Sequence, residues 1–433
     1  MQSSLTDSPH KQALLGIIRA GIDAVSAARV VERAIADVEL ASVLTSRPNH
    51  VIAVGKAAAA MAGAFLKVPG LNVASTLAIG THGHELLPAG VDWIESSHPF
   101  PDARSQAAGE RAVRVAEQAH SGDALVLLIS GGASALMAAP IDGISLADKI
   151  ATTKVMMNAG ADIHALNTVR RHLSKVKGGR LAAACVGTTV TLALSDVVGD
   201  DINAIGSGPG VPDASTWRDA AAALEQFGGA AHAPSVRDAV TRGLGGQLAD
   251  TPKRTDRAMA RATARVIGSR VNAMQGAAAA AEALGYQVVV IDEPVIGEAR
   301  DAAPRWLDAV RARVGTARRT CVISSGETTV RVTGAGKGGR NLEFALALVE
   351  PLAAWGAASL ASVGTDGIDG SSGVAGAIAS GATLQRSLAR GLEAPDRYLT
   401  ANDSFAFFAP LDDTVRIGRT DTNVGDLQVL LID

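Results

Sequence analysis

The sequence predicts an α/β protein of two lobes, an N-terminal Rossmann-like parallel sheet and a smaller C-terminal α/β domain. Three observations predict it. Short apolar runs that end in glycine turns alternate with Ala-rich or amphipathic stretches, the pattern of βαβ units. That alternation stops at 243–258 (GLGGQLADTPKRTDRA), a Gly-rich and then charged stretch holding Pro252, and restarts beyond it. The chain has 433 residues, enough for two or three domains at about 150 residues each. The lobes are therefore drawn at 1–250 and 259–433, with the active site expected in the cleft between them.

Each element has a local reason. Residues 8–45 read as helical, because Leu14, Leu15, Ile17, Ile18, Ile22, Val25 and Val30 recur at helical spacing among polar residues. Val51–Val54 is a short apolar strand ending at Gly55-Lys56, and an Ala-rich helix, Ala57–Leu66, follows. Strands are predicted at Ser75–Ile79 and Ala124–Ile129, joined by a helix over 103–120. The second of these strands runs straight into Ser130-Gly131-Gly132. Residues 145–185 read mostly as helix and Thr188–Leu194 as a strand. Beyond the linker, Arg265–Ile267 leads through Gly268-Ser269 into a helix over 271–284. Strands at Gln287–Ile291, Cys321–Ser324, Thr328–Val332 and Leu360–Val363 follow, with a helix over 341–354. Parallel pairing with right-handed crossovers is expected. No fixed-period repeat is visible.

Composition excludes several function classes. Lys and Arg total 40 against 43 Asp and Glu, a net charge of -3, which argues against generic nucleic-acid binding. Hydrophobic residues at 47% with 19% charged make a globular chain rather than a disordered one. Aromatics are only 3%, so the core must be built from Ala, Val, Leu and Ile. Two cysteines, Cys185 and Cys321, exclude a disulfide scaffold and a Cys-rich zinc site. The polar N-terminus lacks an apolar signal core, and no run of ~18 residues is apolar and uncharged. A cytoplasmic protein without a membrane partner is expected, as a monomer or homodimer.

Four segments share the order apolar strand, glycine turn, helix: VIAVGKAAAA, VLLISGGASAL, VIGSRVNAM and TVRVTGAGKGGRN. Such turns aim backbone amides at a common crevice and suit an anion, phosphate above all. Gly55, Ser130, Gly131, Gly132 and Ser134 are the candidate binding residues of the first two. Lys56 sits where a helix begins, a place the helix dipole makes unfavourable for a cation by ~0.3–1 kcal/mol unless an anion is held beside it. Walker A does not fit, since His50 and Ala57 occupy its required Gly and Ser/Thr positions. Gly334, Gly336 and Gly339 spell the dinucleotide pattern. The strand before them carries Arg331 in alternation, and the loop holds Lys337 and Arg340, which suit a phosphoryl group in transfer better than adenosine pyrophosphate. Neither Lys56 nor Arg340 has an evident core role.

Acidic residues follow the same strands. Asp196 lies in LSDVVGDD, Glu327 in SSGET, and Asp366 and Asp369 in GTDGIDG. Carboxylates there can hold Mg²⁺ or orient a hydroxyl, with Asp196 the expected metal ligand. The bland alternative for Asp196, Asp200, Asp201, Asp366 and Asp369 is capping a helix or turn. GTDGIDG is no EF-hand, because Ile368 and Ala377 stand at ligand positions. His82, His84 and His98 lack further ligands nearby for zinc and read as loop residues beside the cleft. Serine hydrolase and protein kinase signatures are missing.

Taken together, AVGKAA, SSHPFPDARS, LISGGASALM, LNTVRRHLSKVKGGRLA, LSDVVGDD, IGSGPGVPD, ISSGETTV, GKGGRNLEFALAL, VGTDGIDG and TNVGDL resemble the glycerate 2-kinase family, the class II glycerate kinases, from about residue 10 to the end. The resemblance implies a glycerate-kinase-type domain followed by a MOFRL-type domain. It implies transfer of the ATP γ-phosphoryl group to the 2-hydroxyl of glycerate, a small hydroxy acid, with Mg²⁺ or another divalent cation. Family site residues fall on Lys56, Asp196, Glu327, Arg340, Asp366 and Asn423. Lys56, Asp196, Arg340 and Asp366 are expected to be catalytic, and Glu327, Lys337, Asn341 and Asn423 to bind substrate or nucleotide. The chain departs from the family at Leu342 (usually Gln), Gly210 (Thr), Gly425 (Asn) and Ser371-Ser372-Gly373 (Pro-Thr-Asp). Two competing readings are an NAD(P)H-dependent hydroxypyruvate reductase and a non-catalytic binder of sugar acids or nucleotides.

Overall fold

The computed structural model describes residues 9–83, 85, 87–314 and 319–432, so His84 lies outside the described residues. The chain forms two compact units, residues 30–267 and residues 1–29 with 268–433.

The first unit is built on β1 (Pro48–Val54), β2 (Asn72–Gly80), β3 (Asp92–Glu95), β4 (Ala124–Ile129), β5 (Thr188–Leu194) and β6 (Ala262–Gly268), in the order β3-β2-β1-β4-β5-β6. The pairs β3–β2, β2–β1, β1–β4 and β4–β5 are parallel. β4 (ALVLLI) is buried along its whole length, as a strand covered on both faces requires. Ile52, Leu125, Leu127 and Ile129 pack with Ala108, Ala112 and Val115 of the helix Ala103–Gln118. A second core, around Trp217, Leu166 and Val236, holds the helices Leu146–Asn158, Ile163–His172, Trp217–Gln226 and Pro234–Leu244 together. The predicted helical stretch over 145–185 is broken. Gly160 takes φ +82°, and the Asp162 carboxylate then caps the next helix by accepting from Ala165 N at 2.8 Å.

The second unit is built on β7 (Gln287–Glu298), β8 (Thr320–Thr329), β9 (Ala358–Gly364), β10 (Gly376–Ser380), β11 (Thr414–Val415) and β12 (Asp426–Ile432), in the order β11-β10-β9-β12-β8-β7. Here the expectation of parallel pairing fails. Only β7 and β8 pair parallel, and β12 runs antiparallel to both β8 and β9. β12 enters from the turn region after β11 with no crossover helix, so nothing forces it parallel. The strands predicted at 321–324 and 328–332 are instead one continuous strand, β8. The predicted helix over 341–354 is two, Arg340–Ala347 and Val349–Trp355, which meet at Leu348.

The first helix, Pro9–Ala24, belongs to this second unit, and not to a lobe spanning 1–250. Its Leu14, Ile17 and Ile18 share a core with Met274, Cys321, Leu427 and Val429. It lies against the helix Arg270–Ala283 through glycine: a Cβ on Gly276 would fall 2.8 Å from Ala20 O. The predicted single helix over 8–45 is three, Pro9–Ala24, Ala27–Ile35 and Val38–Thr45, and the chain passes into the first unit at Val30, within the second of them.

Candidate active site

In the first sheet the strand order reverses between β1 and β4, and ligands of such sheets bind at the carboxyl ends of the strands at that point. Register places the candidates there. Val54 pairs with Ile129, and Ile129 with Ala193. Gly55-Lys56, Ser130–Gly132 and Asp196 therefore leave three adjacent strands at one edge. The first two loops are stitched together: Lys56 N donates to Gly131 O (2.9 Å) and Ala57 N to Ser130 Oγ (3.0 Å). Gly55, at φ +132°, is required by that approach, since a Cβ would lie 2.6 Å from Ser130 O. Those two amides are thus engaged, whereas the amides of Gly131 and Gly132 donate to no acceptor among the described residues. A Cβ on Gly132 would lie 3.0 Å from His98 Cδ2 and 3.6 Å from Lys56 Cγ, so glycine leaves room for both side chains. Ser134 accepts from the buried Lys177 Nζ at 2.9 Å through both Oγ and its carbonyl oxygen.

In the second unit the candidates gather where β8 and β9 end and β12 begins. Asp426, fully buried, faces Gly326 of β8 and Gly364 of β9. Its carboxylate accepts from Arg340 Nε (2.8 and 2.9 Å to its two oxygens), from Asn341 Nδ2 (2.7 Å) and from Thr328 N (3.2 Å). Arg340 Nη2 lies 3.1 Å from Glu327 Oε1. Burial opposes the Arg340 charge, but Asp426 and Glu327 more than restore it and hold its pKa above the usual value. Asp369 accepts from Asn341 N (3.1 Å) and Leu342 N (2.8 Å) and so caps the helix Arg340–Ala347. Burial, helped by the Asp426 charge, pushes the Asp369 carboxyl up to about 7, against its two backbone donors and Arg340. Asp366 is half-buried just past β9 and accepts from Ile368 N (3.2 Å), while Asn423 is buried just before β12.

Three sequence expectations change. Arg340 does have a structural role, as the counter-charge of buried Asp426. The glycine run 334–339 lies in the ten-residue loop 330–339 between β8 and the helix Arg340–Ala347, and several amides of that loop are held by residues 401–403. Thr333 N and Gly334 N donate to Asn402 Oδ1 (2.8 and 2.9 Å), Gly336 N to Ala401 O (3.0 Å) and Lys337 N to Asp403 Oδ1 (2.9 Å). Lys337 itself is exposed, its Nζ 4.8 Å from the centre of the Phe405 ring. The turn after β6 closes as a capping box between Ser269 and Asn272. Of the four glycine turns, only the first two meet on neighbouring strands. Asn341 spans Asp426 and Ser362, whose Oγ donates to Asn341 Oδ1 at 2.7 Å.

Sequence reasoning missed Asp426 and Lys177. Asp426 opens the short apolar run at the chain's end with no glycine turn after it to mark a site, and Lys177 resembles any basic residue of a helical stretch. Among the described residues no group of three or more His, Cys, Asp or Glu could hold a metal, and no helix is long and apolar enough to cross a membrane.

A parallel sheet with its loops gathered at the switch point, joined in one chain to a mixed sheet carrying an arginine–carboxylate cluster, defines an α/β protein equipped to handle anions. Comparison with known proteins narrows this. Residues 13–242 match a domain of unknown function, DUF4147, and residues 320–426 match the MOFRL family. D-glycerate 2-kinase of Thermotoga maritima is 34% identical, with 98% of each chain aligned. Glycerate 2-kinase of Pyrococcus horikoshii is also 34% identical, over 88% of this chain and 87% of its own. A putative hydroxypyruvate reductase of Agrobacterium vitis is 36% identical over 94% and 95%. The crystal structure of the Thermotoga glycerate kinase superposes with a TM-score of 0.87 at 33% identity, covering 98% of this chain and 99% of that one. The chain belongs to the glycerate 2-kinase family.

Proposed function

We propose that this protein transfers the γ-phosphoryl group of ATP to the 2-hydroxyl of glycerate, giving 2-phosphoglycerate. The observation that carries the reading is the shared edge of β1, β4 and β5, where Lys56 and the Gly131-Gly132 loop leave the strands on either side of the switch point and Asp196 leaves the next strand. Phosphoryl transfer depends on positioning and on offsetting charge. Lys56 is assigned to offset the charge on the transferring group, and Arg340, whose guanidinium Asp426 and Glu327 orient, to bind an anionic part of the substrates. Asp366 holds the acceptor hydroxyl. Mg²⁺ commonly binds through one or two carboxylates together with substrate phosphates. Asp196, outside any three-ligand cluster among the described residues, fits that mode, and a divalent ion so held would offset charge on the nucleotide. The domains are assigned as glycerate-kinase-type for the first unit and MOFRL-type for the second.

The reductase reading is disfavoured because the amides of Gly334, Gly336 and Lys337 in its candidate dinucleotide loop already bond to residues 401–403. The test is a pair of assays on the purified protein. ADP release should depend on D-glycerate, and hydroxypyruvate should not drive NADH or NADPH oxidation. Reductase turnover without kinase turnover would overturn the proposal.

A further inference from the structure

Ser134 lies just past the Ser130–Gly132 turn that leaves β4 at the switch point, and it is half-buried. A serine hydroxyl has one proton and two lone pairs. The buried Lys177 Nζ donates to Ser134 Oγ and to the Ser134 carbonyl oxygen, both at 2.9 Å, and so fills one lone pair of the hydroxyl. Both bonds form whether the amine carries two protons or three, since either form has two to give. Ser207 Oγ lies 3.0 Å from Ser134 Oγ and gives its own proton to Asn167 Oδ1 at 3.1 Å. Across the Ser134–Ser207 contact Ser134 is therefore the donor. Its proton is spent, and one lone pair is left.

The surrounding structure holds this direction in place. Lys177, Ser207 and Asn167 are all buried. Ser207 sits at φ +62° between Gly206 (+60°) and Gly208 (+65°), a left-handed conformation that a residue with a side chain keeps only where its surroundings impose it. The turn is fixed by Gly178 N, which donates to Ser207 O at 3.0 Å, and by Gly179 N, which donates to Gly208 O at 2.8 Å. A hydroxyl left with only a lone pair takes a donor, such as another hydroxyl, and repels a carboxylate or phosphate oxygen. Of the groups on glycerate, the carboxylate has no proton to give, and the 2-hydroxyl gives its proton up in the reaction. That leaves the 3-hydroxyl.

We infer that Ser134 is a specificity-determining residue, whose open lone pair accepts a hydrogen bond from the non-reacting 3-hydroxyl of the acceptor acid. The inference rests on the proposed kinase reading for the identity of that acid. Lys177 and Ser207 are positioning residues, which act by fixing the direction of the Ser134 proton.

The test compares three acids on the full chain: D-glycerate, D-lactate, which lacks the 3-hydroxyl, and tartronate, which has a carboxylate in its place. In the wild type kcat/KM should favour D-glycerate over D-lactate by about 5- to 100-fold, the range of one hydrogen bond whose loss leaves a polar group unpaired. Tartronate should neither turn over nor compete. Ser134→Ala should bring D-glycerate down to the D-lactate value and leave D-lactate within about twofold. Ser207→Ala frees the Ser134 proton, so tartronate should become a substrate or a competitive inhibitor, a change that lost stability alone does not produce. Equal kcat/KM for the first two acids in the wild type overturns the inference with no variant needed, should Ser134→Ala fail to fold. A preference that survives in Ser134→Ala also overturns it, as does tartronate still excluded from Ser207→Ala. A Ser134-dependent preference for ATP over 3′-deoxy-ATP, in place of that for D-glycerate, would put the ribose at Ser134 and overturn it too. Should the wild type phosphorylate none of the acids, the proposed function falls and thermal shifts decide the inference. A larger shift with D-glycerate than with D-lactate, lost in Ser134→Ala, keeps it, and equal or absent shifts overturn it.

Discussion

The two units treat buried charge in opposite ways. In the second, Arg340 meets Asp426 and Glu327, Arg300 meets Glu343 at 2.8 Å, and Arg386 meets Asp413. In the first, Arg171 is matched by Asp213, but Lys149, Arg170 and Lys177 have no such partner among the described residues. A paired network sets geometry: Asp426 fixes the guanidinium of Arg340, and the fold depends on that bond. An unpaired set sheds charge: burial and neighbouring cations bring the Lys149 pKa down to about 7 and hold that of Lys177 well below its usual value. A buried basic group is thus held charged by its carboxylate partners in one unit and pushed toward the neutral form in the other.

Arg340→Ala should break the contrast most severely. It strands a buried carboxylate, which costs about 3–5 kcal/mol, and lowers turnover by ~10²-fold or more. Both a thermal melt and steady-state kinetics should register it, and a melt unchanged from wild type would refute the structural half. Lys56→Ala should lose turnover by a similar ~10²-fold while the thermal midpoint stays within about 1–2 °C. A large drop in midpoint would mean that Lys56, like Arg340, is a structural cation.

Asp426→Asn keeps the shape and one acceptor oxygen while removing the charge. Turnover should fall about tenfold through a less constrained Arg340, with a stability loss of about 1–2 kcal/mol. Equal activity in the variant would show that Arg340 needs no anionic partner.

The smallest effects are in pH, and their signs differ between the units. The folded chain holds a proton on Asp369 up to about pH 7, whereas the unfolded chain releases it near pH 4. Stability contributed by that group is therefore lost as pH rises from 4 to 7. Lys149 releases its proton near pH 7 in the folded chain and only above pH 10 in the unfolded one, so its contribution grows as pH rises from 7 to 10. Melts across pH should show Asp369→Asn flattening the first slope and Lys149→Met the second, each by about 1–2 kcal/mol after allowance for coupling to neighbouring charges. Slopes unchanged by either variant would remove these groups from the balance.

Much of the first unit was legible from sequence. β1, β4 and β5 are apolar runs closed by glycine or serine turns, and hydrophobic periodicity with local turn chemistry suffices to find them. Lys56, Asp196, Glu327, Arg340 and Asp366 stood out because each follows such a run or a glycine turn. The second sheet was less legible. β12 has the same apolar character as a parallel strand, and its antiparallel insertion between β8 and β9 depends on where the chain turns back after β11. Packing of the first helix with the C-terminal unit depends on close approach at Gly276, a contact across more than 250 residues.

Local sequence thus determined which residues are strands, turns and candidate ligands. Tertiary structure alone decided which charges are compensated. An ion pair forms between residues far apart in the chain, Arg340 with Asp426, while Lys149, Arg170 and Lys177 are brought together by the packing of separate segments. Pairing is a property of distance and burial, and neither is written in the order of residues.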